Sequence, residues 1–319
     1  MNQNPHRRYD PLRQTWVIVS PQRNERPWQG QLESDPTAAV PIYDPDCYLC
    51  PGAVRALGVV NPRYDTTFVF DNDFPALVPS TPASAFDQGG LLAARAEPGV
   101  CRVVCYSPRH DLALSRMDCD ALRRVVDVWA EEFESLARRP EINYVLVFEN
   151  RGAEVGATIG HPHGQIYAFD FVPDVPAREL RRGRPNGDPG QRIVATASGW
   201  KAWVPEAHTF PYELVLSPNA DVPDLPSLDD PGRDGLARLL VDVLSRLDRV
   251  FDAPTPYMLW IHQRPFDSGE WPYAKIHVEI VSPWRAAGVQ RYVAAGELGS
   301  GVFFNPVPPE DAARALREA

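Results

Sequence analysis

No stretch of this sequence is apolar for long enough to cross a bilayer, which takes about 20 consecutive apolar residues as a helix. Membrane-spanning functions are therefore not expected. Met1 to Pro11 is polar and holds no apolar segment of the kind that directs export. Positive charge is in deficit, with a net charge of −10. The surface as a whole does not invite nucleic acid or anionic lipid, and an anionic substrate needs a local pocket of cations or N–H groups. Cysteine is scarce and odd in number, at five. A chain of this size needs no disulfide staples, and with no export signal the expected home is a reducing cytoplasm.

What is present points to a globular protein. The 319 residues are 44% hydrophobic and 23% charged, which is ordinary for a soluble fold and more than one small core accommodates. Thirty-four prolines mark short elements with many loops. The order of elements occurs twice. Leu122, Val125, Val126, Trp129, Phe133 and Leu136 follow a 3.6-residue period, so 118–139 reads as a helix. Ser115-x-x-Asp118 reads as its cap signal and Pro140 as its stop. "NYVLVFEN" (143–150) and "GQIYAFDFV" (164–172) follow as strands. In the second half Leu236, Leu239, Leu240, Val243, Leu247 and Val250 form a helical stripe, and "YMLWIHQ" (257–263) and "AKIHVEIV" (274–281) form the strands. Tyr144 lies 19 residues before His163, and Tyr257 lies 20 before His277. "YSP" (106–108) aligns with "LSP" (216–218), and Phe74-Pro75 with Phe210-Pro211. Matched landmark spacing predicts two copies of one α+β unit, each an antiparallel sheet with a packed helix. The expected domains are 1–175 and 176–319. The Pro-, Gly- and charge-rich segment 173–200 suits a mobile connector.

"TIGHPHGQIY" (158–167) carries the chemistry. Alternate residues of a strand point to one face, which would place His161, His163 and Gln165 together. Gly160 and Gly164 remove side-chain bulk and open the backbone to a ligand. Imidazole is a nucleophile near neutral pH without a strong base to activate it. Attack on phosphorus gives a phosphoramidate whose imidazole is also a leaving group, so one transfer becomes two easier steps. The Gln165 amide can donate to a phosphoryl oxygen. Phosphoryl transfer asks mainly for positioning and charge stabilisation. A metal-binding strand, or two hydrogen-bonded core histidines, is the competing reading.

Cys47-Tyr-Leu-Cys50 has zinc-type spacing. A redox dithiol usually opens a helix, whereas Pro51-Gly52 follows at once and favours a knuckle. Zinc needs two further ligands; otherwise the pair is two reduced thiols. Cys101, Cys105 and Cys119 read as small core residues. His277-x-Glu279 together with Cys-x-x-Cys also evokes zinc deaminases, but there the His-x-Glu precedes the cysteines, and here the order is reversed.

"HPHGQIY" resembles the signature of the galactose-1-phosphate uridylyltransferases, a branch of the histidine-triad superfamily. So do "RRYDPLRQTWVIVSPQRNERPWQG" (7–30), "DPDCYLCPG", "FVFDNDFPAL", "CYSPRH" and "FENRGAEVGATIGHPHGQIY", in the family's order. The resemblance implies two tandem histidine-triad-like units. It also implies a ping-pong exchange in which His163 takes UMP from UDP-glucose and passes it to galactose 1-phosphate. It places Gln165 at the uridylyl phosphate, Asn150, Gly156 and Thr158 in the phosphate region, and Arg23, Arg26, Asn72 and Asp73 on the nucleotide. It nominates Cys47, Cys50, His110 and His161 for a structural zinc. A second cluster, Glu179, His262, His277 and Glu279, matches metal-ligand positions and suits zinc or iron, although many members have His where Glu279 stands. Near the C-terminus, Arg291 matches a basic residue at the sugar phosphate and Glu297 a carboxylate at the sugar hydroxyls. Gly296 stands where the best-known members have Tyr, a change that bears on which hexose 1-phosphate is accepted. The resemblance further implies a homodimer with sites built from both chains, and small-molecule rather than nucleic-acid or membrane partners. Two other readings remain: a relative with another nucleotide or acceptor, such as an ADP-glucose phosphorylase, and a nucleotide-binding sensor without catalysis.

Overall fold

The computed structural model describes residues 6–10, 15–19, 40–79, 85–88, 92–182 and 188–319. The chain opens with β1 (His6–Asp10) and β2 (Thr15–Val19), then β3 (Phe68–Asp71), the pair β4 (Ala85–Gln88) and β5 (Leu92–Arg95), and β6 (Gly99–Cys105). Helix α1 (Cys119–Ala137) leads into β7 (Tyr144–Arg151), β8 (His163–Phe169) and α2 (Asp174–Arg182). The second half runs β9 (Ile193–Ala197), β10 (Trp200–Trp203), β11 (Tyr212–Pro218), α3 (Asp230–Phe251), β12 (Tyr257–His262) and β13 (His277–Ser282). It closes with β14 (Trp284–Ala286), β15 (Val289–Gln290), α4 (Ala295–Ser300), β16 (Phe303–Asn305) and α5 (Pro309–Glu318).

α1 and α3 form where the apolar stripes predict, and each is capped by its own sequence. The Asp118 carboxylate accepts from Ala121 N at 2.6 Å, and Asp229 accepts from Gly232 N at 2.8 Å, satisfying amide donors that the first turn leaves open. Ser115, expected in the first cap, is used elsewhere. It sits in a single 3-10 turn, and its hydroxyl donates to Asp248 at 2.7 Å.

Nine strands form one antiparallel sheet in the order β3-β6-β8-β7-β12-β13-β11-β10-β9. The order around the centre is mirrored: β6-β8-β7 on one side, β12-β13-β11 on the other. The two units are therefore fused edge to edge through β7 and β12, with Ile261 opposite Val147 and Tyr257 opposite Arg151. This pairing removes an exposed strand edge from each unit. α1 and α3 cover one face. Trp129, Phe133, Leu236 and Leu240 bury against Val145, Val147, Ile166, Leu259 and Ile280 in one core that crosses the fusion. Full burial of such side chains stabilises by roughly 1.5–3 kcal/mol each, so the repeat units share their main driving force.

The connector expectation is corrected. Pro176 falls in the first turn of α2, where its missing N–H costs nothing, and α2 buries Glu179 and Leu180. β9 and β10 form a hairpin turned by Ser198 and Gly199, at φ 41° and 83°, the left-handed pair that matches strand twist. At the C-terminus β16 runs parallel to β2, and α5 seats Ala312, Ala313 and Leu316 in the core. Among the described residues no helix is long and apolar enough to cross a membrane.

Candidate active site

β8 is the strand the chemistry needs. Its burial alternates, with Gly164, Ile166 and Ala168 turned to the core and His163, Gln165 and Tyr167 to the other face. His163 and Gln165 line a cavity of about 240 Å³ together with Asn72, Asp73, Asn150, Gly156 and Thr158. Residues expected at the phosphate and the nucleotide thus converge on one space. Arg23 and Arg26 lie outside the described residues. Asn72 Nδ2 stands 3.5 Å from Gln165 Oε1, while Asn72 Oδ1 accepts from Phe74 N at 2.9 Å, so this side chain also shapes the turn after β3. Tyr48, Phe70 and Phe74 add aromatic surface to the cavity. The sequence does not mark them as site residues: Phe74 stands out only as a repeat landmark, and Tyr48 only as one of the two residues between the cysteines.

The geometry of His163 decides its protonation. Nδ1 lies 2.8 Å from the His161 carbonyl oxygen. A carbonyl only accepts, so Nδ1 carries the proton and Nε2 keeps its lone pair. Burial disfavours the imidazolium and holds the pKa of His163 below its ordinary value, with the bond to His161 opposing. The ring is therefore neutral, and Nε2 carries a lone pair that meets no hydrogen-bond donor among the described residues.

One sequence expectation changes here. His161 does not share the strand face of His163 and Gln165: it precedes β8, and its ring is buried with the cysteines. Gly164 lines the His163 cavity, and packing on its other side also requires a glycine. A Cβ at that position would lie 1.9 Å from Tyr106 Oη and 2.9 Å from Phe148 O. Gly164→Ala is expected to destabilise the protein by about 1–3 kcal/mol through overpacking, read as a drop in Tm; an unchanged Tm would refute the packing role.

Cys47, Cys50, His110 and His161 bring their ligand atoms within 4.8 Å of one another, all buried. Cys50 Sγ lies 3.7 Å from His110 Nδ1 and 3.6 Å from His161 Nδ1. His161 Nε2 donates to Ser107 O at 2.8 Å, which leaves Nδ1 unprotonated and aimed inward. Such an outer hydrogen bond selects the metal-ligating tautomer. Burial pushes the Cys47 thiol up to about 11, so a thiolate here needs a cation beside it. The donor set fits a closed four-ligand metal ion.

The second cluster, Glu179 from α2, His262 from β12 and His277 and Glu279 from β13, meets the same distance test and is buried. His262 Nδ1 is 2.7 Å from Glu179 Oε2, and His277 Nε2 is 3.4 Å from the same oxygen. His277 Nδ1 donates to Lys275 O at 3.0 Å, so Nε2 is the nitrogen that faces the carboxylates, as a donor when protonated or as a ligand when a metal ion takes the proton's place. Burial opposes charge on His277, but hydrogen bonds to Glu179 and Glu279 outweigh it and raise its pKa to about 9. Two carboxylates facing two imidazoles invite a cation, a proton or a metal ion. Glu279 takes its place because alternation on β13 puts it beside His277.

The sequence matches two family models in tandem: the galactose-1-phosphate uridyl transferase N-terminal domain over residues 1–173 and the C-terminal domain over residues 171–301. The chain belongs to the galactose-1-phosphate uridylyltransferase family. Family relatives are similar along its whole length. The galactose-1-phosphate uridylyltransferase of Rattus norvegicus is 36% identical, covering 99% of this chain and 88% of the relative. That of Haemophilus influenzae is 35% identical, covering 99% and 94%. Among solved structures, a uridylyltransferase superposes with TM-score 0.76 at 26% identity over 98% of this chain and 97% of that one. An ADP-glucose phosphorylase from Arabidopsis thaliana with bound ADP-glucose superposes with TM-score 0.78 at 26% identity over 99% of each chain.

In this family member the C-terminal residues expected at the sugar lie elsewhere. Arg291 and Glu297 are buried, at 8% and 5% exposure, and pair with each other. Glu297 also accepts from Phe304 N at 2.8 Å and Ala294 N at 3.0 Å. Neither residue lines the His163 cavity. Gly296 is open, with no atom within 4 Å of the position a Cβ would take.

Glu149, beside Asn150 on β7, points into the core. Tyr257 Oη donates to it at 2.9 Å, and its other oxygen has no partner among the described residues. Burial raises its pKa from 4.5 to about 8. The folded state therefore holds a proton that the unfolded state releases near pH 4.5. Stability from this group is complete below that pH and declines as pH rises toward 8, by a few kcal/mol at about 1.4 kcal/mol per pKa unit. Glu149→Gln is expected to flatten Tm against pH over this window; a wild-type slope in the variant would refute the assignment.

Proposed function

We propose that this chain moves UMP from UDP-glucose to galactose 1-phosphate through a covalent intermediate on His163. The His163 Nε2 lone pair attacks the α-phosphorus of UDP-glucose. The bond from that phosphorus to the bridging oxygen breaks, and glucose 1-phosphate leaves with the electron pair. A phosphate oxygen of galactose 1-phosphate then attacks the same phosphorus, the P–N bond breaks, and the imidazole recovers its lone pair. Gln165 and Asn150 steady the phosphoryl oxygens. Tyr48, Phe70 and Phe74 face the base, with Asn72 and Asp73 beside them. The observation that carries the reading is the fixed tautomer, with Nδ1 committed to His161 O and Nε2 free at the cavity.

The test is trapping. The protein is incubated with UDP-glucose or ADP-glucose, no acceptor is added, the reaction is quenched in alkali, and intact mass is measured. A UMP adduct supports the proposal. An AMP adduct favours phosphorolysis of ADP-glucose, the reading raised by the Arabidopsis neighbour; no adduct leaves a nucleotide sensor. Because the His163 pKa is lowered, the adduct-forming rate should stay level as pH falls through 6.5 and drop only below it. A rate already halved at pH 6.5 contradicts the burial argument.

Further assignments belong to the proposal. The Cys47–Cys50–His110–His161 cluster holds a structural zinc, since no ligand position is left for substrate. The Glu179–His262–His277–Glu279 cluster holds zinc or iron, and elemental analysis of the purified protein tests both. The protein is a cytoplasmic homodimer, a home supported by five cysteines without a disulfide. Its two units divide near residue 175. Arg291 and Glu297 contact the sugar only if a second chain brings its C-terminal segment to the His163 cavity. Light scattering tests the dimer, and exchange assays over a panel of hexose 1-phosphates with Gly296→Tyr test the acceptor.

A further inference from the structure

Arg55 has no part in the chemistry above, yet the structure buries it against the nucleotide cavity. It follows the Cys47–Cys50 knuckle in a tight loop closed by Arg55 N to Val59 O at 2.8 Å and Gly58 N to Arg55 O at 2.9 Å. Asn61 pins that loop to the knuckle by donating to Tyr48 O at 2.9 Å and Cys50 O at 3.2 Å. The guanidinium carbon lies 3.9 Å from the centroid of the Phe70 ring, and Nη1 lies 3.5 Å from Asp73 Oδ1. The side chains of Arg55 and Asp73 are 9% and 10% exposed.

Arg55 Nε and Nη1 have no hydrogen-bond partner among the described residues. A buried guanidinium with unmade hydrogen bonds costs stability, so its contribution lies in what it faces. Both groups it touches, Asp73 and Phe70, line the cavity, whereas Arg55 itself does not. It stands behind the wall. A cation there attracts and aims the carboxylate, and its planar face fixes the ring by cation–π contact.

We propose that Arg55 is a positioning residue for the nucleoside end of the substrate, holding the Asp73 carboxylate and the Phe70 ring in place from behind the cavity while remaining remote from the phosphorus. The proposal rests on the nucleotidyl-transfer reading. It predicts that Arg55 governs substrate affinity and leaves the transfer step at saturation unchanged.

The test is rapid-quench formation of the His163 adduct as a function of UDP-glucose concentration, for wild type, Arg55→Met, Arg55→Lys, Asp73→Asn and the double variant Arg55→Met/Asp73→Asn. Arg55→Met is expected to raise the half-saturating concentration about tenfold, the scale of one lost charged contact, with the limiting rate within about twofold of wild type. Arg55→Lys should recover part of the affinity, keeping charge but not the planar face. With Asp73→Asn already present, Arg55→Met should add less than about threefold, as expected for coupled neighbours. Wild-type half-saturation in Arg55→Met, even with a lowered Tm, overturns the proposal. So does a limiting rate that falls as much as affinity, or a full tenfold effect in the Asp73→Asn background. Should Arg55→Met fail to fold, Arg55→Lys decides alone: unchanged half-saturation overturns the proposal. Failure of the transfer reading is separate, since wild type then forms no adduct. Calorimetric binding of UDP and ADP to the same variants judges Arg55 in that case, with equal affinities overturning it.

Discussion

Replacing His163 with alanine is expected to eliminate the nucleotide adduct and to lower turnover by about 10⁴-fold or more, the scale seen when a covalent nucleophile is removed. The geometry explains why nothing nearby substitutes for it. His161 Nε2 is committed to Ser107 O and its Nδ1 faces Cys50, and burial lowers its pKa to about 4. Gln165 and Asn150 are amides without nucleophilic character at neutral pH. His163→Ala should keep the wild-type Tm and metal content, because the His163 ring contributes only an edge-of-strand bond to His161 O. The decisive measurement is intact mass after alkaline quench. An adduct of wild-type yield in His163→Ala would end the assignment.

The second large effect is expected two residues earlier and through a different route. His161→Ala or Cys50→Ser should strip the first cluster of its metal ion and cost several kcal/mol of stability, since structural zinc binding in small sites is worth about 10–16 kcal/mol near neutral pH. Nucleotide affinity should fall with it. Tyr48 and Leu49 lie between the two cysteines and line the His163 cavity, so the loop that carries the ligands is also a wall of the site. Metal content, Tm and UDP binding measured on the same preparation separate the steps. Retention of full nucleotide affinity in a metal-free variant would show that the knuckle and the cavity are independent. Together the pair of substitutions predicts opposite signatures: His163→Ala silent in Tm and dead in transfer, His161→Ala damaged in Tm first.

Much of this was legible in the sequence because it is local. The helical stripes at 118–139 and 236–250 and the alternation of β8 are short-range patterns, and the structure places them where their periods point. Matched spacing between Tyr144–His163 and Tyr257–His277 reported the repeat. Cys47-x-x-Cys50 and His277-x-Glu279 announced their geometry within a few residues. The misreadings fall where local pattern meets distant contact. The segment 173–200 looked like a connector by composition, yet α2 folds because Leu180 and Glu179 have somewhere to be buried. His161 reads as sharing a strand face with His163, yet it precedes β8 and is buried with the cysteines.

Sequence by itself determined the inventory: two repeated units, a candidate nucleophilic histidine beside an amide, and two sets of candidate metal ligands. Tertiary structure alone decided how they are used. It fused the units into one sheet through β7 and β12, buried His161 among the cysteines, fixed which nitrogen of His161 faces them, and set Arg55 behind Asp73. The physical reason is that side-chain period along a strand is a property of neighbouring residues. Burial, and the tautomer of His161, are set by atoms more than 50 residues distant, Ser107 O beside its Nε2 and Cys50 Sγ facing its Nδ1, and these meet only when the chain has folded; the bond that fixes His163 comes from two residues away.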